Sequence, residues 1–227
     1  MNSRGLANFA NNALPNKVAN AAVASLPLSG SEITYADLTY GSPRGVGNNN
    51  CYAYAIDKYT NSGNRKLQPG NISQSPGKLD LGSCAGLQAR ALADLKDRAY
   101  AADGDKPCKR GYYKIMSFLD KDNDYHWYKQ HKDALVRLTP KMRDLAALAR
   151  AMGVKPSQVH SPTASPGPGD LVLVKDAKVW SHKQGHATGP LLKDACGKAI
   201  KDPRKACRDY GRLNYRQYCG ALCVKKK

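Results

Sequence analysis

Glutamate is nearly missing from this chain. Of 18 acidic residues only Glu32 is a glutamate, so the Glu–Lys pairs that stabilise exposed helices have almost no material here. With 20 Gly and 13 Pro alongside, the composition predicts short helices, short strands and many ordered loops, an α+β chain rather than a helical bundle. Long apolar runs are also lacking. The longest aliphatic stretch of note, Leu171–Val174, falls far short of the roughly 20 residues a membrane span needs, which excludes a transmembrane helix. Negative charge is scarce as well: 36 Lys plus Arg against 18 Asp plus Glu leave a net +18. Such a surface favours polyanions or the acidic faces of other proteins and disfavours a plain neutral surface. Aromatics are only 7%, but 41% apolar residues over 227 positions are enough to bury a core, so this is not a disordered basic tail.

The first 31 residues contain no acid at all. Ala22, Val23 and Ala24 would suit a signal-peptidase site, yet Asn8, Asn11, Asn12, Pro15, Asn16 and Lys17 interrupt the apolar stretch a signal peptide requires. Leu6, Phe9, Ala10, Ala13 and Leu14 fit one helical face instead, and residues 1–40 are expected to form an N-terminal arm.

Seven cysteines make an odd count, so at least one is free or pairs between chains. Cys51 stands apart because it alone sits at a predicted helix start, whereas Cys84, Cys108, Cys196, Cys207, Cys219 and Cys223 lie in Gly-, Lys- or Pro-rich sequence. Proximity favours pairing Cys84 with Cys108 and drawing the other pairs from the C-terminal third; fully reduced thiols are the alternative. A zinc site from Cys196, Cys207, Cys219 and Cys223 matches zinc-knuckle spacing poorly, and no metal or cofactor is expected.

Helices are predicted over Thr139–Gly153, with Met142, Leu145, Leu148, Ala149 and Met152 on one face, and over about Leu87–Tyr100. Tyr112–Leu119 and Tyr125–Lys129 read as a hairpin turning at Asp120–Asp124. Asp120, Asp122 and Asp124 mimic the start of a calcium loop, but Tyr125 stands where glycine is required and His131 where the bidentate glutamate belongs. The Pro- and Gly-rich run His160–Gly169 leads into a strand at Leu171–Val174.

Asn48, Asn49 and Asn50 precede Cys51, and Tyr52, Ala55, Ile56 and Tyr59 recur at helical spacing. An asparagine cap with a thiol in the first turn favours a thiolate, the form in which a cysteine attacks a carbonyl. His126, on the returning hairpin strand, is the natural proton acceptor. His182 can orient His126 or replace it, or it is a surface turn residue beside Lys183; His131, His160 and His186 read as exposed.

Asn50–Ala55, Asp124–Gln130, Trp180–Lys183, Asp202–Arg204 and Cys219–Gly220 together resemble a family of bacterial and large-DNA-virus proteins that is itself similar to papain-like cysteine hydrolases of the cell-wall amidase type. The resemblance implies a papain-like fold in which a Cys-bearing helix packs on a small antiparallel sheet, with Cys51 as nucleophile and His126 as base. The domain would span 41–192, with an insertion at about 132–178 between the His126 and His182 blocks where the family has a short turn. Residues 193–227 follow as a basic, loop-rich, Cys-containing extension. There Arg204, Arg208, Arg212 and Arg216 recur every fourth residue, a basic stripe if helical, although Pro203 and Gly211 argue against one long helix and no nucleic-acid fingerprint accompanies it. Two functions fit: a cysteine-dependent amide hydrolase, or a non-catalytic basic protein, a minor capsid or cementing component, gluing acidic neighbours in a virus particle or similar assembly. Either places the protein in a virion or outside the cell.

Overall fold

The computed structural model describes residues 24–61, 66–140 and 144–227. The amphipathic stretch expected at Leu6–Leu14 and the stripe position Met142 lie outside the described residues.

Side-chain caps define the helix starts. Ser42 accepts the Gly45 amide to open α1 (Pro43–Asn48), Asn50 accepts the Ala53 amide to open α2 (Cys51–Ala55), and Ser83 accepts the Gly86 amide to open α3 (Cys84–Leu95). The third helix starts earlier than its apolar stripe because Ser83 is the better cap. It ends at Leu95, where Lys96 turns to φ +49, and strand β1 (Ala99–Ala102) occupies what was expected as its last turn. The hairpin is β2 (Tyr112–Asp120) and β3 (Asp124–His131), with Asp122 left-handed at the tip. Then follow β4 (Ala134–Arg137), α4 (Leu145–Met152), β5 (Val159–His160), β6 (Leu171–Val174), β7 (Val179–Lys183), β8 (Pro190–Leu191) and β9 (Gln217–Lys225). The fourth helix is shorter than Thr139–Gly153: Asp144 accepts the Ala147 amide as its cap, and Gly153 ends it left-handed, as the spacing predicts.

The architecture is α+β with antiparallel sheets. A six-stranded sheet has the order β1-β9-β2-β3-β7-β8, and a three-stranded one the order β4-β6-β5. Alternation along the hairpin loads both faces of the large sheet. Tyr113, Ile115, Leu119 and Trp127 meet Tyr52 of α2 and the buried stripe Leu87, Ala91 and Leu95 of α3. Met116, Phe118 and Tyr128 point the other way, against Trp180, Ile200 and Tyr215. The small sheet packs on α4 around Val136, Leu148, Met152 and Val172, a separate core drawn mostly from the 132–178 segment and completed by Tyr35, Val179 and Leu192.

The C-terminal region departs from expectation. Residues 193–216 are mostly turns, but β9 runs inside the large sheet between β1 and β2, so its residues belong to the core and not to an appendage. The pairing of Cys84 with Cys108 is overturned for the same reason. Inserting β9 brings Cys219 to Cys84 at the start of α3 and Cys223 to Cys108, and the third disulfide joins Cys196 to Cys207. Sequence proximity misleads here because strand order, not chain order, sets which thiols meet. Cys51 is the free cysteine, and it is buried.

Candidate functional site

Asn50 fixes the start of the Cys51 helix in three dimensions. Its Oδ1 accepts the Ala53 amide at 3.0 Å while its Nδ2 donates to the Leu67 carbonyl at 2.8 Å and to the Tyr125 hydroxyl at 3.3 Å. Cys51 is 5% exposed, and its Sγ donates to the Tyr125 carbonyl at 3.8 Å. Burial, reinforced by the Asp124 carboxylate, pushes the thiol up to about 12, so the resting group is S–H and not the thiolate that a helix start suggests. A helix of five residues sums too few peptide dipoles to offset that desolvation.

His126 lies on β3 and His182 on the neighbouring β7, both buried; the surface-turn reading of His182 is overturned because its strand sits inside the sheet. Their polar contacts fix the proton positions. The Lys193 carbonyl only accepts, so the His182 nitrogen 2.9 Å from it, Nε2, carries a proton. His182 Nδ1 is then a lone pair, and it lies 2.8 Å from His126 Nε2, which must donate to it. His126 Nδ1 is left as the unprotonated nitrogen, and it makes no hydrogen bond among the described residues. Burial, with His182 nearby, holds His126 well below its usual range, and burial lowers His182 to about 4, so both rings are neutral at pH 7. Tyr215 stacks on His126 with ring centroids 4.8 Å apart, and its hydroxyl donates to Asp124 at 2.8 Å.

Cys51 and His126 line one cleft of about 210 Å³, together with Lys66, Gln68, Asp124 and Tyr215. They reach it from different sides. Trp127 packs with Tyr52 on the helix face, whereas His126 turns to the face of Tyr128 and Tyr215, so the cleft opens where β3 begins. No hydrogen bond joins Sγ to either imidazole among the described residues; the thiol rests on the carbonyl of the residue before His126. Asp124 was legible as a partner, since residues two apart on a strand share a face. Tyr215, Lys66 and Gln68 carry no sequence signal that ties them to this cleft.

The four arginines do not form a stripe. Their segment is not helical, and two of them point inward. Arg204 grips Asp105 at 2.7 and 3.0 Å and Asp202 at 2.9 Å, while Arg208 donates to the Tyr215 and Ala206 carbonyls and lies 4.4 Å over the Phe118 ring. Arg212 and Arg216 are exposed. Of the histidines expected outside, His160 and His186 are exposed, but His131 is buried on β3. The four C-terminal cysteines are all in disulfides, which removes the zinc site. Among the described residues no cluster of three or more His, Cys, Asp or Glu is arranged to hold a metal, and no helix is long and apolar enough to cross a membrane.

Comparison of the chain with family models, with curated proteins and with solved structures finds no match.

Proposed function

We propose that the protein is a papain-like cysteine hydrolase of peptide or cell-wall amides, with Cys51 as nucleophile, His126 as base and His182 holding His126. The observation that carries the reading is the proton chain from Lys193 through His182, which leaves Nδ1 as the unprotonated nitrogen of His126, a residue that lines the same cleft as Cys51. Because the resting pair is neutral, attack and proton transfer are coupled. The thiol leaves the Tyr125 carbonyl, Sγ bonds to the amide carbon, and its proton passes to Nδ1. The imidazolium is held by its Nε2–H bond to His182 and returns the proton to the departing amine nitrogen. Water then cleaves the thioester, again through Nδ1. The Lys66 ammonium on the cleft wall is the available counter-charge for the tetrahedral oxyanion. The test is amine release from stem peptides of bacterial cell wall and from a mixed peptide pool, wild type against Cys51→Ala. Equal release by both proteins would remove the hydrolase reading.

A second reading has its own observations in its favour. The 5% exposure of Cys51 and its high thiol pKa suit a fold kept without its chemistry, and a +18 surface suits a cementing protein among acidic neighbours. Three disulfides fit an extracellular or assembly-associated setting. Under this reading Cys51→Ala is silent in every assay but the protein sediments with its assembly.

A further inference from the structure

Three lysine side chains are buried in the large sheet: Lys114, Lys129 and Lys183. A buried ammonium must find acceptors for its three donors or pay heavily for desolvation. Two of the three each find two backbone carbonyls. Lys114 Nζ donates to Gly104 and Lys106, and Lys183 Nζ donates to Val46 and Gly185. Lys129 differs. Among the described residues its one hydrogen bond is to Asp57 Oδ1 at 3.5 Å, well beyond the ~2.8 Å of a charge-assisted bond. Its other neighbours are ring faces: Tyr54 at 4.2 Å, with Tyr40 and Tyr113 at 5.8 Å. Ring faces attract the charge but leave its donors unmatched.

Lys129 also forms part of the wall of a cavity of about 450 Å³, a size that suits a small ligand. The groups facing that cavity are unbalanced. Among the side chains, Lys58, Lys129 and Lys227 bring three positive charges against the one carboxylate of Asp57, and Lys227 Nζ donates to the Asp57 backbone carbonyl without neutralising its own charge. His131 adds none, since burial lowers it to about 3. The remaining wall is mixed, with Ile33, Leu38, Tyr40 and Tyr59 beside the hydroxyl residues Thr34 and Thr39.

We propose that this cavity binds a small organic anion, with its carboxylate or phosphate group on the Lys129 ammonium and its apolar body against Tyr59 and Leu38. The site is separate from the Cys51 cleft and does not depend on the hydrolase reading. The oxyanion supplies the acceptors that Lys129 lacks, and the excess of positive charge excludes amines.

The test is calorimetric titration of the intact, oxidised full-length chain at pH 7 and low salt with benzoate, phenyl phosphate, inorganic phosphate and benzylamine. Saturable binding of benzoate or phenyl phosphate, with none of benzylamine, is expected; whichever of the two binds tighter identifies the oxyanion. Lys129→Met should weaken that binding roughly tenfold or more, the worth of one charged hydrogen bond. Burial lowers Lys129 to about 8 and Asp57 holds it up, so Asp57→Asn is compared with wild type at pH 6, where the ammonium stays protonated. There it removes the competing carboxylate and should tighten binding several-fold; asparagine tolerates the left-handed φ of +54 at this position, so the variant keeps the backbone even if Lys129→Met fails to fold. Cys51→Ala should leave the affinity unchanged. The proposal is overturned by absence of saturable binding, by inorganic phosphate binding as tightly as phenyl phosphate, or by unaltered affinity in Asp57→Asn.

Discussion

His182 holds His126 by a 2.8 Å bond between its Nδ1 and the His126 Nε2, and is itself held by the Lys193 carbonyl at 2.9 Å. A histidine fixed at both nitrogens has one tautomer, and it imposes the complementary one on its neighbour. Adjacent pairing of β3 and β7 makes this possible, because Tyr128 is opposite His182 in the register and His126 is one same-face step away.

The first prediction concerns that bond. His182→Ala should lower amide turnover by about 10²-fold, the order of a lost oriented general base, while His182→Asn, which keeps an acceptor, should retain part of it. KM should change little in either. Equal losses in both variants, with unchanged melting temperature, would assign His182 a purely structural part.

The second follows from burial of the thiol. Cys51 in the native protein should react with iodoacetamide far more slowly at pH 7 than a free cysteine does, and labelling should climb steadily toward its pKa of about 12. Unfolding in denaturant should restore ordinary reactivity. Rapid labelling of native protein at pH 5–6, read by mass spectrometry, would show a thiolate–imidazolium pair instead and contradict the coupled proton transfer.

Much of this site was legible in the sequence, and some was not, for identifiable reasons. Asn50 before Cys51 announces its cap, and the aspartate cluster between two Tyr-rich runs announces the hairpin, because caps and turns are local. Strand β9 is hidden by Gly220 and by the lysines at its end, and its place between β1 and β2 is a pairing between segments far apart in the chain that no local pattern encodes. The burial of His131 and His182 is equally non-local. A histidine beside lysine reads as exposed until the neighbouring lysine, Lys132 or Lys183, is placed in the sheet or at its edge.

A third prediction comes from the buried histidines. His131 Nδ1 donates to the Ile33 carbonyl at 2.6 Å and its Nε2 accepts from Ser181 Oγ at 2.6 Å, so its folded form is neutral. Folded pKa values lowered to about 3 for His131 and about 4 for His182 lie below the unfolded value near 6.5, so the unfolded chain takes up more protons in between. Stability is therefore full above pH 6.5 and falls as pH drops toward 4, by about 1.4 kcal/mol per pH unit for each histidine. Urea midpoints between pH 7 and 4 read the slope, and His131→Gln should reduce it by one proton's share. A flat profile would mean these rings are not buried neutral.

The fourth concerns the disulfides. Native protein should show a mass lower by about six hydrogens than the reduced chain, with Cys51 alone free to alkylate after unfolding. The links Cys84–Cys219 and Cys108–Cys223 close loops of 135 and 115 residues, against 11 for Cys196–Cys207. Chain entropy assigns the long ones roughly 4–5 kcal/mol each and the short one about 3, so Cys219→Ser should lower the urea midpoint more than Cys196→Ser. Truncation after Ala195 removes β9 altogether and should leave no cooperative unfolding transition. A folded truncated protein would show that β9 is dispensable.

The last prediction separates the arginines that hold the fold from those free to meet a partner. Arg204 bonds two carboxylates, of which Asp202 is 3% exposed, so Arg204→Ala leaves a buried charge without its partner and should cost roughly 3–5 kcal/mol of stability. Arg212 and Arg216 are exposed and make no salt bridge among the described residues, so Arg212→Asp with Arg216→Asp should leave the melting temperature within a few degrees. That double reversal moves the net charge from +18 to +14 without touching a cysteine or a strand of the sheet other than its approach. If the protein cements acidic neighbours, its association should weaken steeply between low and moderate salt, and the double variant should bind more weakly with a shallower salt dependence. Sedimentation with the assembly over a salt series measures both. Unchanged binding and an unchanged salt slope would mean that these two side chains only face water, and the partner surface would have to be sought among the other lysines and arginines.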